Sequence, residues 1–376
     1  NATIDQIVVQ SGGQLSISNN NSTLTLADGA GTDLIVFGKV LYSSGNITQN
    51  GSIIFESGSQ YEQTLEGAAI PTAVWNVNSL CYINITPSST AGFPTAGLGQ
   101  LFGNLSISLP SGNRDLSVNS SLTVQGNLII NNATARSIFF NTGGTAFTIN
   151  VSGNFQHQAG IFDLTSGSGN GTLNVAGNIS LQAGATLSKS GTGTGTIVFN
   201  GSSPQTFTGG GTISNSVNFT VNSGAYLQMA SATTALTGGG AFTLSSGGTL
   251  AINSVDGITS TGATGNIQVT GTRTFNANAT YIYNGTAGQS TGNGLPTPLS
   301  GTLTVNNPGN TVTLSRATTV SGTINLTNGL FASGILLTPS NATLNRSGGT
   351  FSGTPQAGNY SVNYTGASKT TGTELT

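Results

Sequence analysis

His157 is the chain's only histidine and Cys81 its only cysteine. The side chains that most often act as general base, nucleophile or soft metal ligand therefore occur once each. His157 lies in FQHQAG with no second histidine or thiol near it, so a triad or metal site has nothing to build on, and it reads as a solvated strand residue. A single thiol excludes an internal disulfide framework and a thiolate zinc cluster, and leaves the redox compartment open. Glu56, Glu62 and Glu66 fall within eleven residues, a spacing that could serve a glycosidase acid and nucleophile or a calcium ion, since both need carboxylates a few ångströms apart. No repeated Asp loop accompanies them, and a charged surface patch is the plainer reading. Asp28 and Asp33, beside Gly29 and Gly31, make a faint calcium turn without the G-G-x-G-x-D repeat of β-rolls. GTGTGT (191–196) holds a loose Gly-x-Gly, but no Lys follows to hold a phosphate and no helix to aim a dipole. It reads as a turn or corner strand. Trp75 with Tyr82 and Phe93 offers sugar stacking or, as the stronger reading, an aromatic plug over a core. We assign no catalytic residue, no metal ligand and no cofactor.

The elements that would have to position such residues are unusual. Of 376 residues 56 are glycine, and charged residues make up 5%. With Lys+Arg 8 against Asp+Glu 10 there is no basic field to hold phosphates, which argues against a nucleic-acid partner. No run of about 18 apolar residues occurs, so no membrane-inserted helix is expected. Helix periodicity is nearly absent, while short alternating stretches such as LSIS (15–18), LNV (173–175), FTV (219–221) and LTV (303–305) place apolar side chains two apart, bounded by Gly or Asn. Strands this short must be stacked on one another to bury a core.

Repetition supports stacking. V-x-G-N recurs at Val124, Gly126, Asn127, at Val151, Gly153, Asn154, and at Val175, Gly177, Asn178, in steps that match one solenoid coil. A longer spacing relates the aromatics Phe199, Tyr283 and Tyr364, each followed by Gly two residues on. Residues 103–130 align with 301–326 if two are skipped. The expected fold is all-β, a parallel β-helix of roughly 15 coils and on the order of 70 Å in length, with inward aliphatic columns and Gly and Asn at the corners. Its rival is an array of β-sandwiches joined by antiparallel hairpins. We read residues 1–376 as a single solenoid, with 61–101, which holds Trp75, Cys81 and three prolines, as a divergent coil or loop insertion.

Asn-x-Ser/Thr occurs at about 21 places, roughly twice what the Asn, Ser and Thr content would place by chance. Candidate glycosylation sites include Asn46, Asn84, Asn104, Asn150, Asn178, Asn218, Asn284, Asn325, Asn341 and Asn363. Duplicated coil corners that happen to read N-x-T are the alternative source.

Two passages, GAAIPTAVWNVNSLCYINIT (67–86) and GLGQLFGNLSI (97–107), resemble very large repetitive surface proteins of Bacteroidetes. GNGTLNVAGNISLQAG (169–184), GTIVFNGSSPQTF (195–207), DGITSTGATGNIQVTGTRTF (256–275) and YIYNGTAGQSTGNGLP (281–296) are similar to blocks of the same proteins, so the resemblance covers nearly the whole chain. It implies a secreted, cell-surface β-helix exported by the type IX route, adhesin-like or filamentous, and a segment of a longer polypeptide. The family carries no catalytic residues to transfer.

The expected function is an extracellular structural or adhesive stalk or filament segment, not an enzyme. Its expected partners are its own copies or neighbouring β-helical repeats, with surface glycans as a further class. The alternative is a polysaccharide-binding or polysaccharide-degrading β-helix. A lyase or hydrolase would need basic groups lining one groove, whereas Lys39, Arg114, Arg136, Lys189, Arg273, Arg316, Arg346 and Lys369 are widely scattered. Ice binding through flat threonine arrays ranks last, because the Thr-x-Thr pairs keep no coil period.

Overall fold

The computed structural model describes residues 1–88, 92–133 and 135–375. The chain is a β-solenoid of about 15 turns, in which every described strand pairing is parallel. Hairpin-built sandwiches are thereby excluded. The one helical element described is the short 3-10 turn Thr373–Leu375. No helix of the described residues is long and apolar enough to cross a membrane.

Two compact units are distinguished, Asn1–Thr196 with Gly210–Thr212, and Ile197–Gly209 with Ile213–Thr376. In the first, each turn contributes strands to up to three faces. The first face stacks Ile7–Val9, Leu34–Val36, Ile53–Phe55 and Val74–Trp75, and then Leu101–Phe102, Leu122–Val124, Phe147–Val151 and Gly171–Val175. The second face runs through Gln60–Gln63, Leu80–Asn84, Asn104–Leu109, Leu128–Asn132 and Phe155–Asp163 to Ile179–Leu181. Parts of the third are Leu116–Ser117, Ser137–Phe139 and Ala185–Ser188. Segment 61–101 supplies strands to this stack, with Tyr61 opposite Cys81 and Cys81 opposite Leu105.

The V-x-G-N signature has a separate reason at each position. Val124 lies opposite Val151 and Val151 opposite Val175, all three buried, as the expected inward column requires. The glycines are where coils approach most closely: a Cβ on Gly153 would lie 2.4 Å from the Gly126 carbonyl oxygen, and one on Gly177 equally close to that of Gly153. The asparagines form a ladder. The backbone N–H of Asn127 donates to Asn104 Oδ1 at 2.8 Å, that of Asn154 to Asn127 Oδ1 at 2.9 Å, and that of Asn178 to Asn154 Oδ1 at 2.8 Å. A corner that has left the strand ladder thus keeps its N–H groups satisfied from the coil before.

The second unit repeats the scheme. Its second face stacks Tyr226–Met229, Thr249–Ile252, Thr280–Tyr283, Thr302–Thr313, Thr323–Gly334, Ala342–Arg346 and Tyr360–Tyr364. Leu227, Leu250, Tyr281, Leu303, Ile324 and Leu344 make one buried column there. The match of 103–130 to 301–326 falls on equivalent faces, but the aromatic spacing does not. Tyr283 and Tyr364 occupy one column of the second face, whereas Phe199 ends a first-face strand. What Phe199 and Tyr283 share is a corner. Gln205 Oε1 accepts the Gly201 N–H and Gln289 Oε1 accepts the Gly285 N–H, so the Asn-Gly-x-x-x-Gln turn is a local device used at two different corners.

Candidate functional site

His157 is not a solvated strand residue. It is fully buried, facing inward between Ile130 of the preceding coil and Leu181 of the next. The rings of Phe155 and Phe162 lie 6.4 and 6.2 Å from its own. Neither ring nitrogen closes a hydrogen bond of good geometry. Burial pulls its pKa down from 6.5 to about 4, against weak opposing contacts with the backbone of Ala159 and Gly160. At neutral pH it is an uncharged imidazole among hydrocarbon, and no substrate reaches it. Cys81 is enclosed in the same way, and burial pushes its thiol well above the ordinary range.

The three glutamates take three different partners. Glu62 is bound by Lys39 at 2.5 Å and accepts from Asn84 Nδ2 at 2.9 Å. Burial raises its pKa, but Lys39 and Asn84 outweigh that and hold it below the usual carboxylate range. Glu56 accepts from Asn76 Nδ2 at 2.5 Å, and Glu66 from the Ser88 N–H at 2.9 Å. Among the described residues no three His, Cys, Asp or Glu side chains stand close enough to share a metal ion. Asp33 is a corner brace: its buried carboxylate accepts from the N–H groups of Gly29 and Ser52 and from Ser52 Oγ, the backbone bonds leading in holding its pKa down.

Trp75 lies in the core. Its ring stacks on Phe55 at 4.2 Å with 6° between planes, the edges of Tyr61 and Phe102 close around it, and Nε1 donates to Gln100 Oε1 at 2.7 Å. Phe93 is buried, while Tyr82 sits half-buried opposite Glu62 and Ser106 on the strand's other side. In GTGTGT the residues 191–194 make a bend, with Gly191 and Gly193 stacked over Gly167 and Gly169, and the strand Gly195–Phe199 begins at its end. Several basic side chains are braces: Arg273 donates to the carbonyls of Val269 and Thr259, Arg316 to that of Leu295, and Arg346 pairs with Glu374.

The sequons divide by exposure. Asn46, Asn150, Asn178, Asn341 and Asn363 are exposed, whereas Asn84, Asn104, Asn218, Asn284 and Asn325 are half-buried. Several carry ladder bonds. Asn104 Nδ2 donates to the Val77 and Ser79 carbonyls, Asn345 Nδ2 to Asn325 Oδ1, and Asn363 Nδ2 to Asn345 Oδ1. An open groove of ≈ 540 Å³ brings Tyr42, Asn46 and Glu66 together.

Sequence reasoning missed the inward placement of three ionisable residues, His157 in its column and Arg346 with its partner Glu374. The aligned repeats hold the signal. GNLII, GNFQH and GNISL place Ile130, His157 and Leu181 in one position, and TLTV, TINL and TLNR do the same for Val305, Leu326 and Arg346. No family model matches the chain, and neither does any curated protein or solved structure.

Proposed function

We propose that this chain is a structural segment of an extracellular, surface-attached β-solenoid, a stalk or filament of the adhesin-like kind, without catalytic activity. The observation that carries the reading is the use of its polar residues. Asn127, Asn154 and Asn178 link coil to coil, and the carboxylates of Asp33, Glu56 and Glu62 are each bound to a neighbouring coil. Such ladders stiffen a stack at every coil. The resemblance of the blocks 67–86, 97–107, 169–184, 195–207, 256–275 and 281–296 to Bacteroidetes surface repeats supports the extracellular part of the proposal. The competing reading, a polysaccharide-degrading β-helix, is tested by turnover. Purified protein incubated with a panel of neutral and acidic polysaccharides is expected to release no reducing or unsaturated ends. Release that disappears in Glu62→Gln would overturn the proposal.

Glycans belong to the same proposal. A glycosylated amide keeps a single N–H, so attachment at Asn104 would cost one of the two bonds its nitrogen donates, and Asn84 is half-buried with its amide bound to Glu62. Asn46, Asn150 and Asn341 are exposed, and Asn341 sits at a corner with φ 58°. Peptide mapping of native protein is expected to find hexose-bearing peptides at these three and bare asparagine at Asn84 and Asn104. The reverse pattern, or an unmodified mass throughout, removes glycosylation from the account.

A further inference from the structure

The first face of the first unit changes character along its length. Its outward column begins with Val8, Ile35, Ile54 and Val74, aligned one per coil. Leu101 follows in the next strand, whose Phe102 packs against Trp75. Beyond Leu101 the column turns polar, with Thr123, Asn150 and Asn174 in register. Five successive coils thus point an aliphatic side chain away from the core, where this composition would supply Ser, Thr or Asn. Val8, Val74 and Leu101 are about half exposed or more, at 49, 58 and 50%. Phe37 and Val77, just past the strand ends, widen the patch. At its margins Asp33 is buried before one strand and Glu56 after another is held by Asn76, while Asp5 stays exposed before the first.

We propose that this stripe, Val8–Ile35–Ile54–Val74–Leu101, is a lateral docking face for a second copy of the same chain. The ladder is its own complement. Turned about a two-fold axis through its middle coil, it meets an identical row of side chains at the same spacing, the isologous arrangement of most homodimers. At about 4.8 Å per coil the stripe is about 24 Å tall. With a width of about 20 Å including Phe37 and Val77, it covers roughly 450 Å² per copy, or about 900 Å² in all. That area falls short of the roughly 1,000 Å² of a stable specific interface, so it fits a weak, reversible pair and not an obligate dimer. The chain carries a net charge of -2, so long-range repulsion does not oppose contact. This inference deepens the stalk reading by naming the partner. Its test is separable, because association is read on purified protein and surface placement on cells.

Sedimentation velocity of the 376-residue chain from about 1 to 500 µM is expected to show a monomer–dimer equilibrium, with a dissociation constant on the order of 10–100 µM for so small a face. Val8→Lys combined with Val74→Lys is expected to weaken it at least tenfold while leaving the far-ultraviolet circular dichroism unchanged. Ile54 is the middle of the five coils and would face its own mate across the axis, and Cys81 is enclosed. Ile54→Cys is therefore expected to give a disulfide-linked dimer under mild oxidation, and Thr172→Cys on the polar part of the face is not. If the lysine pair disturbs folding, the cysteine pair still decides. A monomer at every concentration, a dimer indifferent to the lysines, or equal cross-linking of both cysteine variants would overturn the proposal. Retention on a polysaccharide matrix without self-association would also overturn it, by giving the face to another partner.

Discussion

Replacing His157 with leucine is expected to stabilise the first unit at neutral pH and to remove most of its sensitivity to mild acid. The imidazole occupies a position that Ile130 and Leu181 fill in the adjacent coils, and neither nitrogen closes a hydrogen bond of good geometry, its backbone contacts with Ala159 and Gly160 being weak. Leucine removes two poorly satisfied polar atoms from hydrocarbon and keeps the volume similar, a gain of about 1 kcal/mol. The pH effect is larger. The folded chain holds His157 at about 4, against 6.5 when it is exposed. Between these values the unfolded state binds a proton that the folded state refuses. Stability is therefore full above about pH 6.5, falls as pH drops toward 4, and levels off below, with a total loss of about 3 kcal/mol. Hydrogen exchange at the amides of Phe155, His157 and Leu181 is the appropriate measurement, since stacked coils open locally and a global melt need not be two-state. Protection should fall by about two orders of magnitude from pH 7 to pH 4, after correction for intrinsic exchange, and should stay nearly flat in His157→Leu. An equal fall in both proteins would place the acid-labile group elsewhere.

Removal of Glu374 is expected to release the C-terminal segment of the second unit. Arg346 takes an inward position directly after Leu326 in its column, so a guanidinium sits where the core would otherwise continue. It is neutralised from the chain's last turn. Glu374 Oε1 lies 2.5 Å from the guanidinium and also accepts from Tyr364 Oη and the Gly372 N–H, both at 3.0 Å. Arg346 further donates to the carbonyls of Gly349 and Thr370. Glu374→Ala leaves that buried cation without its counter-charge. A buried pair loses about 3–5 kcal/mol on such a change; here the guanidinium keeps its bonds to the carbonyls of Gly349 and Thr370, and about 2–3 kcal/mol is expected. Arg346→Leu combined with Glu374→Ala should recover most of it, because the column then continues in hydrocarbon. Acid acts in the same direction as Glu374→Ala. Burial raises the Glu374 pKa, but its hydrogen bonds and Arg346 outweigh this, so its contribution is present above about pH 4.5 and is lost as pH falls through the lowered value. Limited proteolysis near Lys369 reads the release: cleavage should quicken in Glu374→Ala and return toward the native rate in the double variant. A double variant as labile as the single one would contradict the ion-pair account.

The stacking of the chain was legible because its repeats are short and its columns strict. Val124, Val151 and Val175 announce an inward column by spacing alone, and the Gly and Asn that follow them recur because close backbone approach and ladder bonding tolerate little else. The candidate site was legible in a different sense. Thin chemistry could be read from one histidine, one cysteine and scattered carboxylates, but the polarity of the imidazole masked where His157 points. In FQHQAG alternation puts Phe155 and His157 on one face and Gln156 and Gln158 on the other, so the strand itself turns His157 inward beside Phe155. Its equivalence to Ile130 and Leu181 in the neighbouring coils says the same. Phe199 shows the converse. It shares a local turn with Tyr283, and reading that turn as a long repeat put two different corners in one register.

Negative-stain imaging of the native cell surface with gold-labelled antibody against residues 1–376 tests the proposed place of this chain in a surface solenoid. Label is expected along threads or stalks of uniform width standing off the cell. Label confined to the cell interior, or to discrete globular particles, would contradict that placement.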